Sequence, residues 1–224
     1  GLSSVRSSKL IAVADDNTTA MKPSIYSVAT EDYPLARRLY FYLPPKNASP
    51  WAREFIEYCQ SHQGQKIVEA VGFVSQNIRT FKHTVSDDES IPEVYRRLSK
   101  IGQRLSVNFR FSAGSPRLDN KAYKDLQRLI DFLREPEHSN KYVYLIGFSD
   151  AGERLSQDLV LSRFRALAVR GQLLQSGIAV ADSIGLASFM PVASNRDKGV
   201  KLKNGRVEVW ISNKALETTT SLAY

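Results

Sequence analysis

The sequence predicts an α/β fold, an α+β sandwich in which two helices pack on one face of a mixed sheet. Two observations predict it. Between residues 105 and 212, short apolar stretches typical of strands alternate with longer stretches in which apolar residues recur at helical spacing. These elements follow one another in the order β-α-β-α-β-β, which groups the two helices on one side of the strands.

The predicted strands of this region are short and apolar. The first, LSVNFRF at residues 105–111, alternates apolar and polar residues, as a half-buried strand does. The others are KYVYLIGF at 141–148, AVADSIGLA at 179–187 and RVEVWIS at 206–212. We therefore expect a sheet built from these four segments.

Two amphipathic helices separate these strands. Apolar residues at a 3.6-residue spacing over 122–133 predict the first helix, with Asp119 or Asn120 as its N-cap. The second helix is predicted over 156–177, because its final glycine suits a helix C-terminus. A polar loop, residues 188–205, precedes the last strand, and loops of this length within a compact domain are usually functional.

The N-terminal part of the chain shows a less complete alternation. KLIAVAD at 9–15 and ARRLYFYLPP at 36–45 are predicted as strands, since both are apolar and are ended by Asp or Pro. A helical stretch is predicted over 49–71, with Ser49 as its N-cap and Pro50 at its first position.

A change of composition separates the two parts. Residues 84–92, TVSDDESIP, are polar, acidic and closed by a proline, which is typical of a linker or an exposed turn. We therefore expect a partial domain at 1–82, a linker or connecting helix at 83–104, a complete domain at 105–214 and a tail at 215–224.

Charge and composition limit the classes of partner. The chain has 31 Lys and Arg against 23 Asp and Glu, a net charge of +8, which favours an anionic partner. The basic residues are scattered, without the arginine-rich or glycine-aromatic blocks of nucleic-acid binders, so no nucleic-acid partner is predicted. No apolar run approaches the length of a transmembrane helix, so none is predicted. A first residue that is Gly and not Met predicts a mature or cut form.

The sequence predicts neither catalysis nor a metal or cofactor site. Cys59 is the only cysteine, so there is no internal disulfide and no cysteine metal cluster. His62, His83 and His138 lie far apart and form no pair at helical spacing. A nucleophile, a base and an oxyanion donor in a plausible order are not evident.

Four short motifs of the C-terminal part occur in the order typical of one family. They are GFSD at 147–150, the Leu-Ser and Arg-Ala pairs of 161–166, PVASN at 191–195 and NGRVE at 204–208. In this they resemble the OmpA-like peptidoglycan-binding domain. Its motifs are approximately Gly-His-Thr-Asp, Asn-x-x-Leu-Ser-x-x-Arg-Ala, Pro-Val-Ala-x-Asn and Asn-Arg-Arg-Val-Glu. The resemblance covers about residues 105–212.

The sequence departs from these motifs at five positions. Phe148 replaces the usual His, Ser149 the usual Thr, and Asp158 the usual Asn. Gly205 replaces one of the two closing arginines, and the glycine that follows the Asp is displaced to Gly152. We expect Asp158 and Gly205 to alter affinity or the choice of peptide.

The resemblance implies that Asp150 and Arg165 bind diaminopimelate in the stem peptide of peptidoglycan. The free end of diaminopimelate carries an ammonium, which suits the carboxylate of Asp150, and a carboxylate, which suits the planar fork of Arg165. Arg165 is expected inside the helix and leaning back toward the strand end that carries Asp150. The alternative is an ordinary ion pair, in which Arg165 neutralises Asp150 or Asp158. Asp158 is also expected to compete with the ligand for Arg165.

Four further residues are candidates for the same site. Asn204 and Arg206 open the last strand and either line the pocket or form a solvated strand end. Ser112 and Gly114 follow the first strand of the complete domain and could offer backbone amides to the ligand.

The N-terminal part is similar to a second family. Residues 25–45, IYSVATEDYPLARRLYFYLPP, and 52–74, AREFIEYCQSHQGQKIVEAVGFV, resemble the closing part of phosphate-type periplasmic substrate-binding proteins, which fold from two α/β lobes around a cleft. The loops that grip phosphate in that family lie mostly upstream of Gly1. No phosphate-binding residue is therefore predicted.

These observations lead to three functional hypotheses. The first is a protein of the periplasm, associated with the cell wall or the outer membrane, that tethers itself to peptidoglycan and has other envelope proteins as further partners. The basic net charge suits the free carboxylates of the wall. The second is a solute-binding component of phosphate uptake. The third is a structural subunit of an envelope machine that uses its N-terminal region as an interaction surface.

Overall fold

The computed structural model describes residues 2, 7–16, 18–46, 49–112, 114–150, 152, 154–196 and 201–217. The chain divides into two compact units, residues 1–77 and 78–224. Residues 197–200 of the predicted polar loop and 218–224 of the predicted tail lie outside the described residues. None of the described helices combines the length and the apolar character needed to cross a membrane.

The described residues of the N-terminal unit form three α-helices, α1 (Ile25–Ala29), α2 (Pro50–Gln60) and α3 (His62–Ala70). The predicted helix over 49–71 is thus divided in two at Ser61, whose extended backbone ends α2 and whose side chain caps α3. Pro50 opens α2 as expected.

Neither predicted strand of this unit forms. Within 9–15 the only pairing among described residues is the isolated bridge between Val13 and Met21. Residues 36–45 pair with no described strand, and Tyr42 is 89% exposed. A residue's preference for strands depends on packing against a neighbouring strand and on burial, which this segment lacks here. The prediction of two strands was therefore wrong.

The second unit is built on one five-stranded sheet. Its strands are β1 (Thr80–Phe81), β2 (Gly102–Arg110), β3 (Tyr142–Gly147), β4 (Asp182–Gly185) and β5 (Arg206–Ser212). Their order is β1-β2-β5-β3-β4, with β3 and β4 parallel and the other neighbours antiparallel. The predicted mixed sheet is confirmed, with the short edge strand β1 added to it.

Three α-helices accompany the sheet: α4 (Glu93–Ile101), α5 (Asn120–Arg134) and α6 (Leu155–Gln175). Asp119 is the N-cap of α5, since its Oδ1 accepts a hydrogen bond of 2.8 Å from the Ala122 amide. A 3-10 helix, Lys201–Asn204, leads into β5.

One face of the sheet forms the larger core with α5 and α6, as predicted. Buried residues from both helices and from alternate positions of the strands make it, among them Leu105, Phe109, Leu126, Leu129, Leu145, Ala166, Val169, Leu173, Val207 and Val209. The opposite face is covered by α4. Tyr95 and Leu98 of this helix pack with Tyr144, Ile146 and Trp210, which point away from the first core because successive strand residues face opposite sides.

The second core corrects the expected architecture. Two helices on one face were predicted, whereas the sheet of this unit also has a helix on its other face. The stretch 83–104 therefore contributes a buried helix to the fold. Its apolar residues were not recognised as amphipathic because the acidic segment 84–92 stands directly before them.

The contact between α6 and β3 positions the candidate site. A Cβ added to Gly147 would collide with the carbonyl of Ser162. The missing side chain thus lets the helix backbone lie directly on the end of β3. The hydroxyl of Ser162 also accepts a hydrogen bond of 3.0 Å from the amide of Ala187. Arg165, one helical turn after Ser162, is thereby held above the residues that follow β3.

Candidate functional site

The structure brings Asp150 and Arg165 into direct contact. Asp150 lies three residues beyond the end of β3, and Nη2 of Arg165 donates to its Oδ1 at 3.0 Å. The Arg165 side chain is 1% exposed and that of Asp150 is 12% exposed. Of the two, the acid is thus the group nearer to the solvent.

Other groups hold the Arg165 guanidinium from several sides. Nε donates to the carbonyl of Ser115 at 3.2 Å, and Nη1 donates to the carbonyl of Phe148 at 3.1 Å. The ring of Phe111 lies 5.4 Å from the guanidinium carbon. Since a guanidinium has more N–H groups than these contacts use, donors remain for a ligand.

Burial and charge act on Arg165 in opposite directions. Burial lowers the pKa of Arg165, because the charged form loses hydration. The hydrogen bond and the charge of Asp150, and then the charge of Asp158, act to raise it. The two acids thus compensate for the loss of water around a guanidinium that stays charged.

Asp158 holds the loop between β3 and α6. Both of its carboxylate oxygens lie 3.1 Å from the amide nitrogen of Gly152, which donates to them. No hydrogen bond joins Asp158 to Arg165 among the described residues. The placement favours a role in shaping the loop that carries Asp150 over direct competition for Arg165.

Asn204 is buried and saturated with hydrogen bonds. Its Oδ1 accepts from the amides of Val192 and Ala193 at 2.8 and 2.9 Å. Its Nδ2 donates to the Ala193 carbonyl and to Oδ1 of Asn195, both at 2.8 Å. The side chain therefore fastens the PVASN motif to the start of β5, which explains why the two motifs occur together.

Arg206 lies on the α4 face of the sheet, and its contacts among the described residues do not include Arg165. Its Nε and Nη2 each lie 2.9 Å from Oε1 of Glu208, and its guanidinium carbon is 3.9 Å from the centre of the Phe148 ring. The reason is the alternation along β5, which turns Arg206 and Glu208 away from the side of Val207. With 2% of its surface exposed, Arg206 is not at a solvated strand end, and its place in a common pocket stays a prediction.

Ser112 and Gly114 belong to the loop between β2 and α5. The Ser112 amide donates to the carbonyl of Arg117 at 3.0 Å, so the loop itself already uses it. Gly114 has φ of 61°, and a Cβ added to it would meet nothing within 4 Å. An amide offered to a ligand therefore remains a proposal for Gly114 and is not supported for Ser112.

The sequence interpretation missed three residues that contact Arg165. Ser115 and Phe148 act through their backbone carbonyls, which any residue type provides, so no signal in the sequence could have indicated them. Phe111 ends an alternating apolar stretch, and its position at the strand end was a usable signal.

A separate acidic group lies between α5 and β3. Glu135, Glu137 and His138 bring one ligand-type atom each within 4.8 Å of one another. Nε2 of His138 lies 3.0 Å from Glu137, and its ring stacks on Phe132 with centres 3.9 Å apart. His138 is buried whereas both glutamates are exposed, and we assign no metal to the group.

Comparison with known proteins identifies the region that contains this site. Residues 110–205 match the OmpA family model. The match includes Asp150, Asp158, Arg165 and Asn204 and ends just before Arg206. The OmpA-like domain predicted from the motifs is thereby confirmed over these residues. The resemblance of the N-terminal part to substrate-binding proteins stays a prediction. A comparison with curated protein sequences gives no match.

Several solved structures are similar to this chain. The periplasmic domain of Helicobacter pylori MotB is 23% identical, with 51% of this chain and 78% of that chain covered and a TM-score of 0.42. The peptidoglycan-associated lipoprotein from Burkholderia pseudomallei is 21% identical, with 55% and 100% covered and a TM-score of 0.43. A putative MotB-like protein from Desulfovibrio vulgaris is 20% identical, with 74% and 98% covered and a TM-score of 0.44.

Proposed function

We propose that the OmpA-like domain binds peptidoglycan non-covalently, by holding the free amino-acid end of diaminopimelate between Asp150 and Arg165. The observation that carries this proposal is the contact between the two side chains, in which Arg165 is almost fully buried and Asp150 is open at one edge. Through this contact the protein would be tethered to the cell wall in the periplasm.

The two side chains have unused bonding capacity of the right kind. Oδ1 of Asp150 accepts from Arg165, and no described residue donates to Oδ2. An ammonium can therefore donate to Oδ2 while a carboxylate accepts from the remaining N–H groups of Arg165. Both bonds are charge-assisted, and they are strengthened by the low exposure of the site.

The neutrality of the pair favours a zwitterion. A ligand with an ammonium alone, or with a carboxylate alone, brings an uncompensated charge to a poorly hydrated place, which is costly. The amino-acid end of diaminopimelate brings both charges on one carbon and leaves the site neutral. Binding of such a ligand would distinguish the proposed site from the ordinary ion pair that the sequence left open.

Two observations support the wider role. The OmpA family match covers the site, and the net charge of +8 favours association with a wall rich in free carboxylates. The charge acts without specificity and is screened by salt, whereas the Asp150–Arg165 contact supplies the selection.

Ligand analogues and matched variants test the proposal. Diaminopimelate should bind in calorimetry, while 1,5-diaminopentane, which lacks the carboxylates, and heptanedioate, which lacks the ammonium groups, should not. Purified peptidoglycan should retain the wild type and lose Asp150→Asn and Arg165→Lys. The exposed residues Arg163 and Asp131 provide the controls Arg163→Lys and Asp131→Asn, which should be retained. Equal retention of all variants would show that the site is wrongly assigned.

The N-terminal unit supports a second candidate function, an interaction surface. Large apolar side chains are exposed in this unit, including Leu35, Leu39, Tyr42, Trp51 and Val71. Two other exposed rings of the unit, Phe41 and Phe55, touch edge to face with centres 6.2 Å apart, and a contiguous apolar patch usually marks a surface that another polypeptide covers. Sedimentation velocity of the wild type and of Tyr42→Ser tests for self-association through it. A wild type that stays monomeric at all concentrations would exclude a second copy of the chain as that polypeptide.

A further inference from the structure

A series of buried contacts connects helix α4 with Arg165. It begins at Tyr95, a residue of α4 with no exposed surface. The hydroxyl of Tyr95 donates to Oε2 of Glu208 at 2.7 Å, and Glu208 is also fully buried. A hydrogen bond between a phenol and a carboxylate with no access to water is strong and costly to remove.

Glu208 is in turn bonded to Arg206, which contacts Phe148. Its Oε1 accepts from Nε and Nη2 of Arg206, each at 2.9 Å. The Arg206 guanidinium in turn lies over the ring of Phe148, 3.9 Å from its centre. Tyr95 also touches the same ring edge-on, with ring centres 6.1 Å apart. Phe148 is thus held by Arg206 and Tyr95, both on the α4 face of the sheet.

Phe148 is the residue at which the two faces of the domain meet. Its ring belongs to the α4 face, but its carbonyl accepts from Nη1 of Arg165 at 3.1 Å. Its amide donates to the carbonyl of Arg206 at 2.8 Å. Asp150 follows only two residues later, so a shift of Phe148 moves the acid and the acceptor of the arginine together.

We propose that Tyr95 is a positioning residue of the Asp150–Arg165 site, acting through Glu208, Arg206 and Phe148. Tyr95 lies outside the residues 110–205 that match the OmpA family model. The binding module of this protein therefore extends upstream to include α4. The effect on ligand affinity rests on the proposed function, whereas the effect on the position of Arg165 does not.

Loss of the Tyr95 hydroxyl is expected to affect Arg165, because each contact in the series depends on the one before it. Without the Tyr95 hydroxyl, the buried Oε2 of Glu208 loses a donor at 2.7 Å, while Nε1 of Trp210 donates to the same atom from 3.4 Å. We expect the carboxylate to adjust toward the donors that remain, which include Nη2 of Arg104 at 3.0 Å from Oε1, and its bonds with Arg206 to change accordingly. Arg206 still donates to the carbonyls of Met190 and Asn204, at 3.1 and 3.4 Å, so we expect it to shift over the Phe148 ring and not to leave it.

Tyr95→Phe is the variant that tests the proposal, because it keeps the ring and removes only the hydroxyl. The Nε–H resonance of Arg165 is recorded by 15N NMR in the ligand-free protein and is assigned by its absence in Arg165→Lys. We expect this resonance to shift in Tyr95→Phe. We expect the affinity for diaminopimelate to fall about fivefold, the size of one ordinary hydrogen bond.

Two control variants separate positioning from loss of stability. Tyr123→Phe removes a hydroxyl from an exposed tyrosine of α5 and should change neither the resonance nor the affinity. Leu133→Ala destabilises the core on the opposite face and should lower the unfolding temperature at least as much as Tyr95→Phe. At 25 °C, where the domain stays folded, it should leave both readouts at their wild-type values.

The outcomes of these measurements separate the positioning role of Tyr95 from a loss of stability and from the proposed function. An Arg165 resonance that is the same in Tyr95→Phe as in the wild type overturns the positioning role of Tyr95. If the wild type binds diaminopimelate, an equal affinity in Tyr95→Phe overturns it as well. The same changes in Leu133→Ala overturn it as well, since they would follow from stability alone. A wild type that does not bind diaminopimelate rejects the proposed function, while a shifted resonance in Tyr95→Phe would still support the positioning role.

Discussion

The guanidinium of Arg165 lies where a side chain on residue 205 would begin. A Cβ added to Gly205 would lie 2.6 Å from Nη1 and 3.0 Å from Cζ of Arg165. An arginine free to swing aside would tolerate this, but Arg165 is buried and bonded to Ser115, Phe148 and Asp150. The position of Arg165 therefore leaves no room for a side chain at residue 205, where the OmpA-like motif has an arginine and this protein has a glycine.

Gly205→Ala should accordingly displace Arg165 and weaken binding. We expect about a tenfold loss of affinity for diaminopimelate in calorimetry, because the new methyl group overlaps an ordered guanidinium. Gly171→Ala in α6 is the control, since a Cβ there meets nothing within 4 Å. That change should leave the affinity alone and raise stability slightly, as Gly-to-Ala changes in helices do. If Gly205→Ala bound diaminopimelate as tightly as the wild type, the position of Arg165 would not explain the glycine at residue 205.

Asp158→Asn and Asp158→Ala distinguish a loop support from a competitor. If the carboxylate holds the Gly152 amide, Asn keeps an acceptor and binds diaminopimelate within about threefold of the wild type, whereas Ala releases the loop and binds about tenfold more weakly. If Asp158 instead competes for Arg165, both variants should bind more tightly. Calorimetry under one set of conditions separates the two, and a gain of affinity in either variant would disprove the supporting role.

Asn204→Ala should destabilise the domain through the loop before β5. The change leaves the amides of Val192 and Ala193 without their acceptor in a buried place. We expect the free energy of unfolding in urea to fall by about 3 kcal/mol, the cost of such unsatisfied groups. Asn140→Ala, at an exposed position, should change it by less than about 0.5 kcal/mol. Equal stability of the two variants would mean that water satisfies the freed amides.

Glu208→Gln should be the most destabilising of these changes. Glu208 pairs with the buried guanidinium groups of Arg104 and Arg206, whose Nη2 atoms lie 3.0 and 2.9 Å from its Oε1. Removal of its charge leaves two buried cations without their shared anion, which costs about 3–5 kcal/mol. Urea unfolding followed by circular dichroism measures the loss. A change below about 1 kcal/mol would indicate that water reaches the cluster.

Sequence reasoning was sufficient where a local pattern decides the structure. The alternation in β2 and β5, the cap of α5 by Asp119 and the ordered motifs around Asp150 and Arg165 each depend on residues close together in the chain. It failed for residues 36–45, because a strand-like composition forms a strand only beside a partner, and no described strand lies beside this segment.

Arg206 shows the limit of motif reasoning. It stands next to Asn204 in a motif, and proximity in sequence suggested a shared pocket. The alternation of Val207, Val209 and Ile211 already indicated that Arg206 faces the other side of the sheet. What the pattern could not indicate was that this side is also buried, since the helix that covers it comes from residues more than 100 positions earlier.

The sequence by itself determined the fold class of the OmpA-like domain, the order of strands and helices between residues 105 and 212, and the pairing of an acid after β3 with an arginine in α6. These follow from periodicity and from motifs that are local in the chain. Only the tertiary structure decided which groups surround that pair. The carbonyls of Ser115 and Phe148, the space over Gly205 and the route from Tyr95 through Glu208 depend on backbone atoms and on contacts between distant segments. Backbone groups are the same in every residue, so their positions become known only when the chain is folded.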